Sequence, residues 1–167
     1  MTLLFAWLLA DFVAGIAHWV QDRFVHRGPF YEANELHHLK PAALCRLSYW
    51  ENINSTLLVT LPLAALLALV GAPAVVTLAA LLASFANLVH RWSHDVPSRV
   101  PRLARAAQRV GLFSSREQHL RHHFGDKKIL SRADAFECWC PLTDWLNPLL
   151  DRVGFFRGLD LIFGKRK

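Results

Sequence analysis

The chain has 167 residues, 53% of them hydrophobic and 19% charged, with nine His, three Cys and a formal net charge of +6. That balance excludes a disordered chain and a small disulfide scaffold, and the length fits a single domain over residues 1–167. The mean hydropathy of +0.23 averages over unlike parts: charge-poor runs alternate with stretches crowded with Lys and Arg.

From Thr2 to Val20 the only formal charge is Asp11. A bilayer-spanning helix needs roughly 20 mainly apolar residues, so a first membrane helix is predicted at about 2–25. A secretory signal fits poorly, because a basic n-region is missing and Asp11, His18 and Asp22 interrupt the apolar core. The connection 21–51 then carries Arg23, Arg27, Lys40 and Arg46. No residue from Ser55 to Val89 is charged, a run too long for one span and long enough for two. Gly71-Ala72-Pro73 marks a tight turn near its middle, so a helical hairpin is predicted at about 52–70 and 74–95.

The segment 91–135 is again basic, from Arg91 to Arg132. By the positive-inside rule, both basic segments are expected on the cytoplasmic side, with the N-terminus and the 71–73 turn opposite. The charge therefore reads as topology and surface docking, with no nucleic acid as partner. Within 99–112, Val100, Leu103, Ala107 and Val110 recur at helical spacing beside Arg99, Arg102, Arg105 and Arg109. This predicts a basic interfacial helix. The stretch 142–163 mixes aromatic and aliphatic residues with too many charges for a span, and reads as interfacial or packed on the rest of the protein. The predicted fold class is an all-α integral membrane helical bundle, with about three membrane helices plus interfacial helices.

Placed on this topology, the histidines collect on the cytoplasmic side. His18 falls near the end of the first helix, and His26, His37 and His38 in the following connection. His90 and His94 end the third helix; His119, His122 and His123 lie just beyond. The i,i+4 pair His90/His94 shares one helix face, as does the His119/His122/His123 triplet. Asp11, His18 and Asp22 project within roughly 20° of one another on a helical wheel. Alone, the stretch HRWSH (90–94) fits an interfacial Trp with two solvated His equally well. Taken together, with His26 as a bystander, eight imidazoles exceed one zinc site and suit a redox-active pair of irons. Asp11 and Asp22 are expected to support His ligands from behind. Cys138-X-Cys140 is not C-x-x-C, and both read as ordinary thiols.

Five pieces then carry a resemblance: DFVAGIAHWVQD (11–22), HHLKPAALCR (37–46), NLVHRWSH (87–94), REQHLRHH (116–123) and CPLTDWLNPLLDRVGFFRGLDLIFG (140–164). In this order they resemble the Kua/CarF lipid desaturase family, the plasmanylethanolamine desaturase-like enzymes, over nearly the whole chain. The resemblance implies a single lipid desaturase domain with its metal ligands and catalytic residues at His18, His37, His38, His90, His94, His119, His122 and His123. Asn87 is expected in a supporting role beside Asp11 and Asp22. Leu47 stands where many relatives have a further His, and Gly125-Asp126-Lys127-Lys128 opens a longer run up to Cys140. The upstream helix of longer relatives is not expected in this chain.

The implied activity is an iron-dependent, O2-using desaturation of an alkyl or acyl chain of a membrane phospholipid, with plasmalogen-type vinyl-ether formation as the leading case. Two irons, O2 as co-substrate and electrons from cytochrome b5 or ferredoxin are implied. The alternatives are acyl desaturation on phosphatidylglycerol, a related di-iron lipid hydroxylase and, outside enzymes, a haem-binding membrane protein. An intramembrane zinc protease lacks its H-E-x-x-H: HRWSH offers Arg91 where the Glu would stand.

Overall fold

The computed structural model describes residues 1–124, 139 and 141–164. Cys138, Cys140 and the run that opens at Gly125 lie outside the described residues. Every regular element among the described residues is helical. In chain order these are α1 (Thr2–Phe24), α2 (Pro29–Leu39), a 3-10 segment (Pro41–Arg46), α3 (Tyr49–Leu69), α4 (Ala74–Leu82), a 3-10 turn (Ala83–Phe85), α5 (Ala86–His94), α6 (Arg102–Arg109), α7 (Arg116–Phe124), α8 (Leu146–Arg152) and α9 (Phe155–Phe163). Three helices are long and apolar enough to cross a membrane: Thr2–Phe24, Tyr49–Leu69 and the continuous α4–α5 stretch Ala74–His94.

Each boundary has a local cause. α3 starts at Tyr49, three residues before the predicted 52, because Ser48 and Glu51 form a reciprocal capping box. It ends where Gly71 takes a left-handed φ of 72°, and Pro73 then begins the return helix. Between α4 and α5 the three-residue 3-10 turn advances the helical phase by about 60° relative to an unbroken α-helix. Thr56 Oγ1 donates to the Ser84 carbonyl in this turn, and Asn87 Nδ2 donates to Ser55 Oγ at 2.9 Å. These polar side chains stitch the two helices of the hairpin together, as hydrogen bonds between apolar helices do.

Small residues allow the helices to approach closely. Ala6 and Ala10 of α1 and Ala79 of α4 are buried together with Trp7, Val89 and Leu142. The outward faces are apolar. α3 buries only Asn52 and Ala64, while Leu58, Leu61, Leu66 and Leu69 stand exposed. A row of exposed leucines on a helix of this length is what a lipid-facing surface requires.

The C-terminal segment is fastened to α1. The buried Asp11 carboxylate accepts bonds from Leu142 N at 3.2 Å, Thr143 N at 3.0 Å and Thr143 Oγ1 at 2.8 Å. Asn147 Nδ2 donates to the Asp11 carbonyl at 2.7 Å. Gly15 makes room for this contact, since a Cβ there would stand 2.2 Å from Asn147 Oδ1. The same segment holds the approach to α7: Ser114 N donates to Leu142 O at 2.7 Å, and Ser115 N to Asp144 Oδ1 at 3.0 Å.

The two predicted interfacial stretches each keep one face outward. In α6 Ala104 is buried and Val100 just before it is too, but Leu103 and Val110 are exposed, so the predicted apolar stripe is divided between two faces. The stretch 142–163 breaks into α8 and α9 at Gly154, whose φ is 80°. Phe156 and Asp160 of α9 point inward, while Leu161, Ile162 and Phe163 are exposed.

The Gly15–Asn147 fit predicts a coupled double-mutant cycle. Gly15→Ala overpacks the junction and is expected to destabilise the detergent-solubilised protein by about 1–3 kcal/mol. Asn147→Ala loses a buried hydrogen bond and costs about 1–3 kcal/mol. The double variant should cost clearly less than the sum, because removing Asn147 relieves the clash. Thermal unfolding of the four proteins checks this.

Candidate metal centre

Four helices deliver nine donor side chains to one end of the bundle. α1 supplies His18 and Asp22, α2 His37 and His38, α5 His90 and His94, and α7 His119, His122 and His123. They separate into two groups. His37, His90, His94, His119 and His123 form the first; His18, Asp22, His38 and His122 form the second. In each group the donor atoms all lie within 4.8 Å of one another.

Helical geometry explains the division. Residues four apart point the same way, so His90/His94 and His119/His123 both serve the first group, and His18/Asp22 serve the second. Adjacent residues diverge by about 100°, so His37 and His38 split between the groups, as do His122 and His123. The groups adjoin: the rings of His18 and His90 are 5.6 Å apart, and those of His38 and His123 5.0 Å.

The contacts inside each group are between nitrogens. In the first, His37 and His90 meet Nε2 to Nε2 at 2.9 Å. His119 Nε2 lies 2.8 Å from His94 Nε2 and 3.0 Å from His123 Nε2. In the second, His18 and His122 meet at 3.0 Å. Asp22 Oδ1 is 3.0 Å from His38 Nε2, and its Oδ2 is 3.7 Å from both His18 Nε2 and His122 Nε2.

A neutral ring nitrogen that carries a proton points it along one line. A proton on His119 Nε2 therefore serves at most one of its two close nitrogens. Nitrogens bound at about 2.1 Å and at right angles to one cation stand about 3.0 Å apart, which matches these contacts. Burial, reinforced by neighbouring imidazoles, holds His37, His119 and His123 well below the ordinary histidine range. They are neutral and present lone pairs, the form a metal takes. The donor set, rich in imidazole with one carboxylate and no thiolate among the described residues, suits iron, zinc or copper rather than calcium or magnesium.

The eight histidines singled out from the sequence all meet here, and exposed His26 joins neither group. The three supporting residues divide differently. Asp22 stands among the donors instead of behind them. Asp11 does not reach the histidines: it shares their wheel angle, but seven residues place it about 10 Å farther along the helix, where it binds Leu142 and Thr143. Asn87 bonds Ser55 of the hairpin rather than supporting a ligand. Trp139, missed by sequence reasoning, donates its Nε1 to Asp22 Oδ2 at 3.2 Å.

Two arginines brace the ends of α5. Arg116 Nη1 donates to the His94 carbonyl and, at 3.4 Å, to that of Asp95. Arg91 donates to the carbonyls of Leu47 and Cys45 and lies over the Tyr49 ring at 4.5 Å. Arg91, which denies the zinc-protease pattern its Glu, thus ties α5 to the segment that follows His37 and His38.

Comparison with known proteins bears on the family. The family described as "Lipid desaturase domain" matches residues 7–166. A probable fatty acid desaturase of Acanthamoeba polyphaga mimivirus is 25% identical over 92% of this chain and 76% of its own length. Fatty acid desaturase 4-like 2, chloroplastic, of Arabidopsis thaliana is 26% identical over 93% of this chain and 56% of its own length. Plasmanylethanolamine desaturase of Myxococcus xanthus is 30% identical over 92% of this chain and 56% of its own length. Thus the chain spans between about half and three quarters of the curated relatives it matches. No solved structure gives a significant match. The match of the family model over residues 7–166, almost the entire length, places this chain in the lipid desaturase family.

Proposed function

We propose that this protein is a membrane-bound, O2-dependent desaturase that holds two irons in the histidine cluster and introduces a double bond into a chain of a membrane phospholipid. The observation that carries the reading is the pair of adjoining donor groups at one end of three membrane-crossing helices. His37, His90, His94, His119 and His123 would hold one iron; His18, Asp22, His38 and His122 the other. Two irons there would supply the O2 activation that an unactivated methylene demands.

The chain's own residues do the rest. Exposed apolar residues on α1 and α3, such as Leu4, Val13, Leu58 and Leu61, suit contact with lipid tails. The arginines around α6 offer a basic surface for an acidic carrier protein. That carrier is needed by stoichiometry: removing two hydrogens from neighbouring carbons while reducing O2 to two waters consumes two further electrons and two protons. Cytochrome b5 and ferredoxin are such carriers. Under the positive-inside rule the cluster faces the cytoplasm.

The substrate reading is plasmanylethanolamine-like, an alkyl chain oxidised next to its ether oxygen to a vinyl ether. The match to the Myxococcus enzyme supports it. An acyl chain is the second reading, favoured by the mimiviral and chloroplast relatives named as fatty acid desaturases. Expression in a host supplied with ether-lipid precursor separates them. A vinyl ether two hydrogens lighter supports the first, an unsaturated acyl chain the second, and a product heavier by one oxygen a hydroxylase.

Metal analysis tests the centre itself. The purified protein is expected to hold two irons per chain. His122→Ala and His123→Ala each disable a different group and should each lower product formation by more than the roughly 10–100-fold typical for losing an outer partner of a ligand. Full product formation by His122→Ala would make the two-iron reading wrong.

A further inference from the structure

A buried chain of contacts runs from Asp22 to the C-terminal helix. Trp139 is 1% exposed, and its Nε1 donates to Asp22 Oδ2 at 3.2 Å. Its ring stands 4.7 Å from that of Phe156 and 6.1 Å from that of His122. The Arg23 guanidinium lies over it, 5.1 Å from the ring centroid. Arg23 is committed in turn to Asp160 of α9, with Nε to Oδ1 at 2.9 Å and Nη2 to Oδ2 at 3.2 Å. Trp19 Nε1 adds a third bond to Asp160 at 3.0 Å.

The arrangement has a physical purpose at Asp22. Rotation of a carboxylate about its last side-chain bond is only weakly restrained. Asp22 must present Oδ1 to His38 and Oδ2 toward His18 and His122. An N–H fixed on Oδ2 sets the carboxylate plane. The indole that carries it is immobilised between Phe156 and Arg23, and Arg23 is immobilised by a two-point bond to a buried carboxylate. Breaking a buried, hydrogen-bonded pair of this kind is costly, which favours its staying in place.

We propose that Trp139 is a positioning residue, clamped by the Arg23–Asp160 pair, that orients the Asp22 carboxylate and so sets how firmly the group His18, Asp22, His38 and His122 retains a metal ion. The inference deepens the metal-centre reading and rests on it. Losing an outer partner of a ligand weakens metal affinity about 10–100-fold, so the effect should fall on one group and spare the other.

The test uses the full chain in detergent, loaded anaerobically with ferrous iron alone and challenged with graded chelator, with iron counted per chain. Wild type should retain two irons. Trp139→Phe keeps a ring but loses the N–H; one iron should leave at about 10–100-fold lower chelator while the other stays. In a His123→Ala background the remaining iron should become chelator-sensitive on adding Trp139→Phe. In a His122→Ala background it should not change. Trp7→Phe, a packing control in the other apolar cluster, should lower the melting temperature and leave chelator resistance as in wild type.

Equal iron retention by Trp139→Phe and wild type would overturn the proposal, as would parallel loss of both irons with helicity intact. If Trp139→Phe loses its helical circular dichroism, Asp160→Asn carries the test through the clamp: selective loss of one iron supports the proposal and unchanged retention overturns it. Fewer than two irons on wild type would instead bring down the metal-centre reading.

Discussion

Everything in this fold answers to the crowding of lone pairs at one end of the bundle. Five imidazoles in one group, and three more with a carboxylate in the other, bring their donor atoms within 4.8 Å of one another in each group. A proton on His119 Nε2 serves at most one of the two ring nitrogens it meets. Converging so many buried polar side chains demands a scaffold rigid enough to hold them.

The rigidity comes from three kinds of fastening, each at a different depth. Within the bilayer span, alanines set close helix contact and Thr56, Ser55, Ser84 and Asn87 bond across the hairpin. At the level of the cluster, Arg116 and Arg91 brace the carbonyl end of α5, where cationic side chains also suit the helix dipole. Across the bundle, Asp11 and Asn147 bind the C-terminal segment to α1, and that segment accepts bonds from the backbone N–H groups of Ser114 and Ser115 just ahead of α7. The three histidines of α7 thus depend on a segment that is fastened to the first helix.

Much of this was legible in the residues. Charge-free runs and Gly71-Ala72-Pro73 locate the spans to within a few residues, because a bilayer imposes length and apolarity directly. The eight histidines stand out because helical spacing groups them before any tertiary contact is known. The role that the resemblance implies for Asn87 gives way to a bond across the hairpin with Ser55, and Asp11 departs from its wheel position for a geometric reason. A helical wheel records angle and discards rise, so Asp11 shares a face with His18 while sitting at another depth, beside a strip of backbone that no local pattern in α1 announces. Asp22 was underrated because carboxylates usually stand behind histidine ligands, although its i,i+4 spacing from His18 already put both on one site. Trp139 lay beyond reach, since its bond to Asp22 spans 117 positions.

The two donor groups differ in charge, since only one contains a carboxylate. A divalent cation among five neutral imidazoles keeps its formal charge, whereas Asp22 offsets one unit in the other group. Electrostatic differences of this kind count for more away from water. Arg23, the neighbour of Asp22 in sequence, binds Asp160 through two nitrogens, while Trp139 brings a neutral N–H to Asp22. An indole N–H can hold a carboxylate in place without adding a charge of its own to it.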